Sequence, residues 1–121
     1  MSTFIVENGQ LLVIAPNGSV TWKGNPKGKM VAKVLPLPDG NSAVVLFDYY
    51  RWNEGASLNL ACVDEGGEVI WQSSDKTGQF SEDPFTDAAF EDRALFATTW
   101  GGKRCSVELS DGSITYSTFT K

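Results

Sequence analysis

Histidine is absent from the 121 residues, and cysteine occurs only twice. The absence of histidine removes the commonest general base and the usual nitrogen ligand of zinc, copper and iron. Cys62 and Cys105 lie in apolar runs without CxxC spacing, so we expect two reduced core thiols and no zinc site. The sequence therefore predicts no cofactor and no metal, and it argues against most enzyme mechanisms.

Long apolar runs and a basic charge balance are also missing. No segment approaches the roughly 18 apolar residues of a membrane-spanning helix, and residues 1–7 do not resemble a secretion signal. Ten basic residues against 15 acidic ones give a net charge of -5, which makes nucleic acid an unfavourable partner. We expect a cytoplasmic protein of one soluble domain, residues 1–121, with no nucleic-acid and no membrane partner.

What the sequence does have is strand periodicity interrupted by glycine turns. Asn8-Gly9 stands between two apolar runs and is the strongest short signal for a β-hairpin. Similar turns divide the rest of the chain into strands, among them a long one from Ala43 to Tyr50. Residues 83–94 fit a helix or a strand. Strand is favoured because these residues correspond to the strand-like residues 34–38 in the internal repeat described next.

The internal repeat is defined by its last hairpin. Each copy reads turn residue, glycine, any residue, β-branched residue, any residue, aromatic residue, and the copies end at Trp22, Trp71 and Tyr116. These three repeat-core aromatics are 49 and then 45 residues apart, within the range of roughly 40 to 50 residues typical of four-stranded propeller blades. The sequence therefore predicts an all-β antiparallel meander of three blade-like sheets, the first with room for three strands only. The sheets are expected at about residues 3–23, 30–73 and 85–119.

The closing motif resembles the blade repeats of quinoprotein-type β-propellers, the PQQ-like repeats. Residues 17–22 match the motif well, residues 62–71 match it with one extra turn residue, and the third copy departs by carrying Tyr116 in place of tryptophan. Such blades occur in quinone-dependent dehydrogenases and in outer-membrane assembly scaffolds, and nothing in this sequence matches the calcium or quinone ligands of the dehydrogenases. The resemblance therefore implies an architecture and no particular activity.

The number of blades leaves the overall arrangement open. About two and a half blades are too few for a closed propeller, which has roughly four to eight. An incomplete propeller and a compact three-sheet roll both fit this number. The chain could be a monomer, or a weak homodimer in which association covers the open strand edges. One half of a symmetric propeller-like dimer is a further alternative.

Two segments carry the candidate binding residues. Tyr49, Tyr50, Arg51 and Trp52 lie at a predicted hairpin tip, and these residue types dominate protein-binding hot spots. The alternative is a tip that folds over the sheet and buries its aromatics as a lid. The second segment, residues 82–92, has five carboxylates, which fit a solvated strand edge or a binding surface. Its protein-binding candidates are Asp83, Asp87 and Glu91.

The leading hypothesis is a non-enzymatic domain that binds another protein through these two segments. The acidic balance favours a basic partner, as for an immunity- or antitoxin-type protein that masks a basic toxin. The alternative is a carboxylate-dependent hydrolase or a small-ligand-binding protein that uses a cleft between blades, with an acid pair drawn from residues 82–92. The lysine-rich connector, residues 23–29, lacks the Ser or Thr and the helix of a phosphate-binding loop, so a solvated loop is expected there.

Overall fold

Three antiparallel sheets make up the computed structural model, which describes residues 1–51, 58–74 and 84–119, without the side chains of residues 51 and 115–119. The first sheet contains β1 (Thr3–Glu7), β2 (Gln10–Ile14) and β3 (Val20–Gly24). The second contains β4 (Val31–Pro36), β5 (Ser42–Phe47), β6 (Leu60–Asp64) and β7 (Val69–Gln72). The third contains β8 (Phe85–Glu91), β9 (Ala94–Thr99), β10 (Lys103–Val107) and β11 (Ile114–Phe119).

Each sheet is a meander in which neighbours in sequence are neighbours in space. The all-β class and the three-sheet meander are confirmed, as is the strand at residues 85–91 in place of a helix. The first hairpin shows the local cause: Asn8 and Gly9 both have positive φ, at 53° and 79°. A two-residue turn with this geometry matches the right-handed twist of the strands that it joins.

The second sheet lies between the other two and is buried on both faces. All six residues of β5 are buried, and alternate residues of a strand point to opposite faces. Ala43 and Val45 therefore contact the first sheet, whereas Val44 and Leu46 contact the third. The core on the first side comprises Phe4, Leu11, Val13, Val31, Ala43, Val45, Phe47, Ala61 and Val63. The core on the other side includes Val44, Leu46, Leu60, Cys62, Trp71, Phe85, Leu95, Cys105 and Val107.

Adjacent sheets are also joined by a tryptophan that lies on a glycine. Trp22 in β3 covers Gly67 in the turn between β6 and β7, so close that a Cβ atom at this glycine would lie 2.4 Å from the indole. Trp71 in β7 covers Gly112 in the same manner, also at 2.4 Å, and its Nε1 donates a hydrogen bond of 2.7 Å to the Leu109 carbonyl. The repeat-core residue of the third sheet, Tyr116, lies in β11.

The prediction of one strand from Ala43 to Tyr50 is wrong at its end. β5 stops at Phe47, and a 3-10 turn covers Tyr49–Arg51. The cause is Asp48, whose carboxylate accepts a hydrogen bond of 2.9 Å from the Tyr50 backbone N–H. Aspartate side chains commonly compete with the sheet in this way, because they bond the backbone two residues further on.

Candidate protein-binding site

Two tyrosines and a tryptophan form an exposed aromatic cluster where the second and third sheets meet. The ring centroids of Tyr49 and Tyr50 are 4.3 Å apart, and those of Tyr49 and Trp100 are 5.3 Å apart. Tyr50 is 78% exposed and Trp100 is 61% exposed, whereas Tyr49 is partly covered between them. Tilted rings at these distances have the geometry of favourable aromatic pairs. We call Tyr49, Tyr50 and Trp100 the aromatic cluster.

The backbone on both sides of the aromatic cluster is fixed by hydrogen bonds to other strands and connections. The Asp48 N–H donates to the Met30 carbonyl, and the Trp100 N–H donates to the Pro84 carbonyl, each at 2.9 Å. The Thr99 hydroxyl also accepts a bond of 3.1 Å from the Lys103 N–H and so closes the turn that follows Trp100. The rings therefore stand on an ordered support.

A buried amide, Asn59, links the two sheets next to the aromatic cluster. Its Nδ2 donates to the carbonyls of Phe47 at 3.2 Å and Phe85 at 2.8 Å, and its Oδ1 accepts from the Phe85 N–H at 2.8 Å. The side chain is completely shielded from solvent. A fully bonded buried amide holds its neighbours in one arrangement, because any other arrangement would leave polar groups without partners.

The phenol of Tyr49 acts as a neutral hydrogen-bonding group. The hydrogen bond with the Tyr50 side chain raises the pKa of Tyr49, and the negative charge of Asp48 adds to the rise. Tyr49 is therefore protonated at neutral pH. The cluster offers a partner apolar ring faces together with phenolic O–H groups, a combination that suits protein contacts.

The structure brings together some of the predicted binding residues and not others. Tyr49 and Tyr50 lie in the aromatic cluster, and Arg51 completes the 3-10 turn with its backbone. Trp52 and Asp83 lie outside the described residues. Sequence reasoning missed Trp100, although one signal was present: the residue directly precedes the Gly101-Gly102 turn, where its side chain has no facing strand.

Asp87 and Glu91 lie on β8 and are both ion-paired. The Lys33 ammonium lies 2.9 Å from the Asp87 carboxylate and, by its hydrogen bond, lowers the pKa of that carboxyl. The Arg104 guanidinium lies 2.5 Å from the Glu91 carboxylate and 3.8 Å from the centroid of the Phe96 ring. Both acids therefore have cationic partners within the chain, and their side chains are 63% and 58% exposed.

A shallow cleft on the third sheet, of about 300 Å³, is the place to look for small-ligand chemistry. Its charged lining residues are Arg93 and Glu108, with Ser106 between apolar neighbours. A glycosidase-like site needs two facing carboxylates, and this cleft offers one. Within the described residues, no group of three cysteine, aspartate or glutamate side chains is placed to hold a metal ion.

Both cysteines lie in the core between the second and third sheets. Cys62 and Cys105 are free thiols and almost completely buried, as the sequence predicts. Burial raises the pKa of the Cys62 thiol, and a hydrogen bond with Ser42 offsets part of the rise. A buried, protonated thiol is a poor nucleophile. In the described part of the chain, no helix has the length and apolar character needed to cross a membrane.

The fold and the comparisons with known proteins define the class: an all-β, partial propeller-like protein of three antiparallel sheets. The chain belongs to the family described as Domain of unknown function (DUF7957), whose model matches residues 29–119. That range holds all of the second and third sheets and none of the first. No curated protein matches the sequence.

A solved structure supports the same architecture. The chain is similar to the crystal structure of BamB from Moraxella catarrhalis, with a TM-score of 0.62 and 16% sequence identity. The likeness covers 97% of this chain and 32% of that chain, so this chain spans about a third of the length of BamB. At this level of identity the likeness concerns the fold alone.

Proposed function

We propose that this chain is a non-enzymatic protein-binding domain whose main contact is the aromatic cluster. The observation that carries the proposal is the exposure of two large aromatic side chains of this cluster, Tyr50 at 78% and Trp100 at 61%, on an ordered support. Tyrosine and tryptophan are enriched among the few residues that supply most of the binding energy at protein–protein interfaces. Because the support is already ordered, little entropy is lost when a partner covers the rings.

The favoured partner is a basic protein. The net charge of -5 speeds the association with a positively charged surface and selects against acidic ones. An immunity- or antitoxin-type role, in which the chain masks a basic toxin in the cytoplasm, fits this chemistry. The sheets are proposed to be blades of the PQQ-like type, which is supported by the repeated contact of tryptophan with glycine and by the likeness to BamB.

The test measures binding to purified basic proteins encoded beside this chain, by calorimetry at low salt. Trp100→Ala is expected to weaken binding by about 30-fold or more, the loss typical of a hot spot of about 2 kcal/mol. Ile70→Ala is the matched control, because Ile70 is 56% exposed on another strand. The proposal is wrong if no basic protein binds at micromolar concentration, or if Trp100→Ala and Ile70→Ala behave alike.

A second candidate function, a small-ligand-binding or carboxylate-dependent hydrolytic site, is favoured by the cleft between Arg93 and Glu108. One cation and one carboxylate in the lining of a partly apolar cleft suit a small zwitterion better than a sugar. Amino acids and dipeptides are therefore the probes, with thermal shift as the measurement and Glu108→Gln as the variant. A shift that Glu108→Gln leaves unchanged would rule out this cleft as the site.

A further inference from the structure

The contact of tryptophan with glycine repeats from sheet to sheet and ends with one glycine uncovered. Gly67 receives Trp22 and Gly112 receives Trp71, in each case with an indole atom 2.4 Å from the place that a Cβ would take. Gly18 holds the same place in the turn of the first sheet, with a φ of 90°, and no atom of the described residues lies within 4 Å of its Cβ position. The first sheet therefore has a docking position that is filled in the other two.

The face of the first sheet that points away from the second matches faces that are mostly buried in the other two sheets. Strand pairing aligns the three sheets residue by residue. The pair Ile5 and Leu12 in the first sheet corresponds to Val45 and Ala61 in the second sheet. The corresponding pair in the third sheet is Ala97 and Cys105. The aligned sets are Ile5, Ile14 and Val20 in the first sheet, Val45, Val63 and Val69 in the second, and Ala97, Val107 and Ile114 in the third.

The exposed fractions of the aligned side chains differ between the first sheet and the other two. Ile5 is 37% exposed and its neighbour Leu12 is 8% exposed, whereas their counterparts Val45 and Ala61 are completely buried. Val20 is 54% exposed, its counterpart in the second sheet, Val69, is 38% exposed, and its counterpart in the third sheet, Ile114, is 5% exposed. At Val45 in the second sheet and Ile114 in the third, the preceding sheet provides the cover. The outer face of the first sheet is thus an apolar sheet face with the register of an interface.

The third sheet presents the complementary face. In the third sheet, Ser106 pairs with Phe96 on one neighbouring strand and with Tyr116 on the other. In the first sheet, Val13 pairs in the same way with Phe4 and Trp22. Tyr116 therefore stands at the register position of the tryptophans that cover glycines. On this face Arg104 lies over the Phe96 ring, and its charge is compensated by the ion pair with Glu91.

We propose that a second copy of this chain packs head to tail on the outer face of the first sheet, with β11 of one copy, at the position of Tyr116, next to Gly18 of the other. The contact continues the interface that joins the sheets within each copy. If each copy makes this contact with the other, the two chains form a closed ring of six sheets with two-fold symmetry. Closed propellers have about four to eight blades, so six sheets lie within that range. This surface is separate from the aromatic cluster, so the inference does not depend on the proposed function.

The association is expected to be weak. On the third sheet, Thr98, Arg104 and Ser106 stand where the first sheet has Val6, Leu11 and Val13. Polar groups in an interface lose hydration that their new partners restore only in part. We therefore expect a dimer that dissociates on dilution, with a dissociation constant of about 10 to 100 µM.

The experiment is sedimentation equilibrium of the full chain over a concentration range that brackets this value. Gly18→Asn places a side chain on the docking position and keeps the positive φ, because asparagine tolerates that conformation. The matched control is Gly28→Asn, since Gly28 also has a positive φ, 71°, and no atom in the described part of the chain lies within 4 Å of its Cβ position. We expect at least a tenfold weaker dimer in Gly18→Asn and no change in Gly28→Asn.

A second variant tests the other side of the contact. Tyr116→Ala should weaken the dimer and Tyr116→Trp should strengthen it, with the circular dichroism spectrum as the check on folding. A monomer throughout the concentration range overturns the proposal. So does a dimer that is insensitive to Tyr116→Ala but sensitive to Val20→Lys, since that result means that two first sheets pack face to face. Assemblies larger than two chains overturn the closed ring.

Discussion

The two interfaces between sheets are built differently. Between the second and third sheets, the buried amide of Asn59 and the indole N–H of Trp71 make hydrogen bonds across the core. Between the first and second sheets, the described core is aliphatic and aromatic, and the hydrogen bonds lie at its rim. The Ser2 N–H donates to the Gly40 carbonyl, and the Val31 N–H donates to the Gly9 carbonyl.

Hydrogen bonds across the core hold the second and third sheets in one fixed arrangement. The first sheet packs against this pair mainly through apolar contacts. Apolar contacts tolerate small sliding, whereas buried hydrogen bonds do not. The family model covers residues 29–119, which are the two sheets tied by Asn59 and Trp71. The first sheet is the part of the chain that lies outside the matched range, and it carries the uncovered glycine, Gly18.

The largest expected effect comes from breaking the polar link of the second interface. Asn59→Ala removes three hydrogen bonds and leaves the buried Phe85 N–H without its acceptor. We expect a loss of about 3 to 5 kcal/mol in the free energy of unfolding, measured by urea denaturation. Asn41→Ala, in an exposed turn, is the control and should change little. Equal effects of the two substitutions would mean that Asn59 does not link the sheets.

A smaller effect is expected from adding a methyl group under the two tryptophans. In Gly112→Ala the new Cβ meets both the Trp71 indole and the Gln72 carbonyl, at 2.4 and 2.9 Å, so a loss of about 3 kcal/mol or more is expected. In Gly67→Ala the nearest atoms all belong to the Trp22 indole, and the half-buried ring can shift, so the loss should be about 2 kcal/mol.

Gly18→Ala is the control for both glycines. Its Cβ would have no described atom within 4 Å, so the loss of stability in Gly18→Ala measures the positive φ alone, at about 1 to 2 kcal/mol. Urea denaturation of the three variants at low protein concentration ranks them. The order Gly112, Gly67, Gly18 supports the difference between the interfaces, and any other order contradicts it.

The smallest effect concerns the ion pair between Lys33 and Asp87, on the second and third sheets. The side chains are 39% and 63% exposed, so solvent screening limits the cost of Asp87→Asn to less than about 1 kcal/mol. Lys33 lowers the pKa of Asp87 in the folded chain. The stabilisation is therefore present above the unfolded pKa of about 3.9 and is lost as the pH falls through the folded value.

Unfolding of wild type and Asp87→Asn at a series of pH values tests this sign. The difference between the two proteins should be constant near neutral pH and should shrink below about pH 4. A difference that grows as the pH falls would contradict the pairing. Asp92→Asn, in an exposed turn of the same segment, serves as the control.

The candidate site illustrates which features a sequence can supply. Tyr49 and Tyr50 are adjacent in sequence, so their joint exposure at a chain reversal is a local inference. Trp100 joins them from a distant hairpin of the third sheet, and Asn59 anchors the support from the start of the next strand. Neither residue is marked by a local pattern, because a contact between sheets depends on how the sheets pack.

The sequence by itself determined the strands, their turns and the division into three sheets. Period-two alternation and positive-φ turns such as Asn8-Gly9 act within a few residues, and the repeat ending at Trp22 and Trp71 is visible along the chain. The tertiary structure decided that Trp100 joins the two tyrosines, which acids are paired and which glycine is left uncovered. Those features depend on groups distant in sequence, whose meeting is fixed only when the sheets bury their apolar faces together.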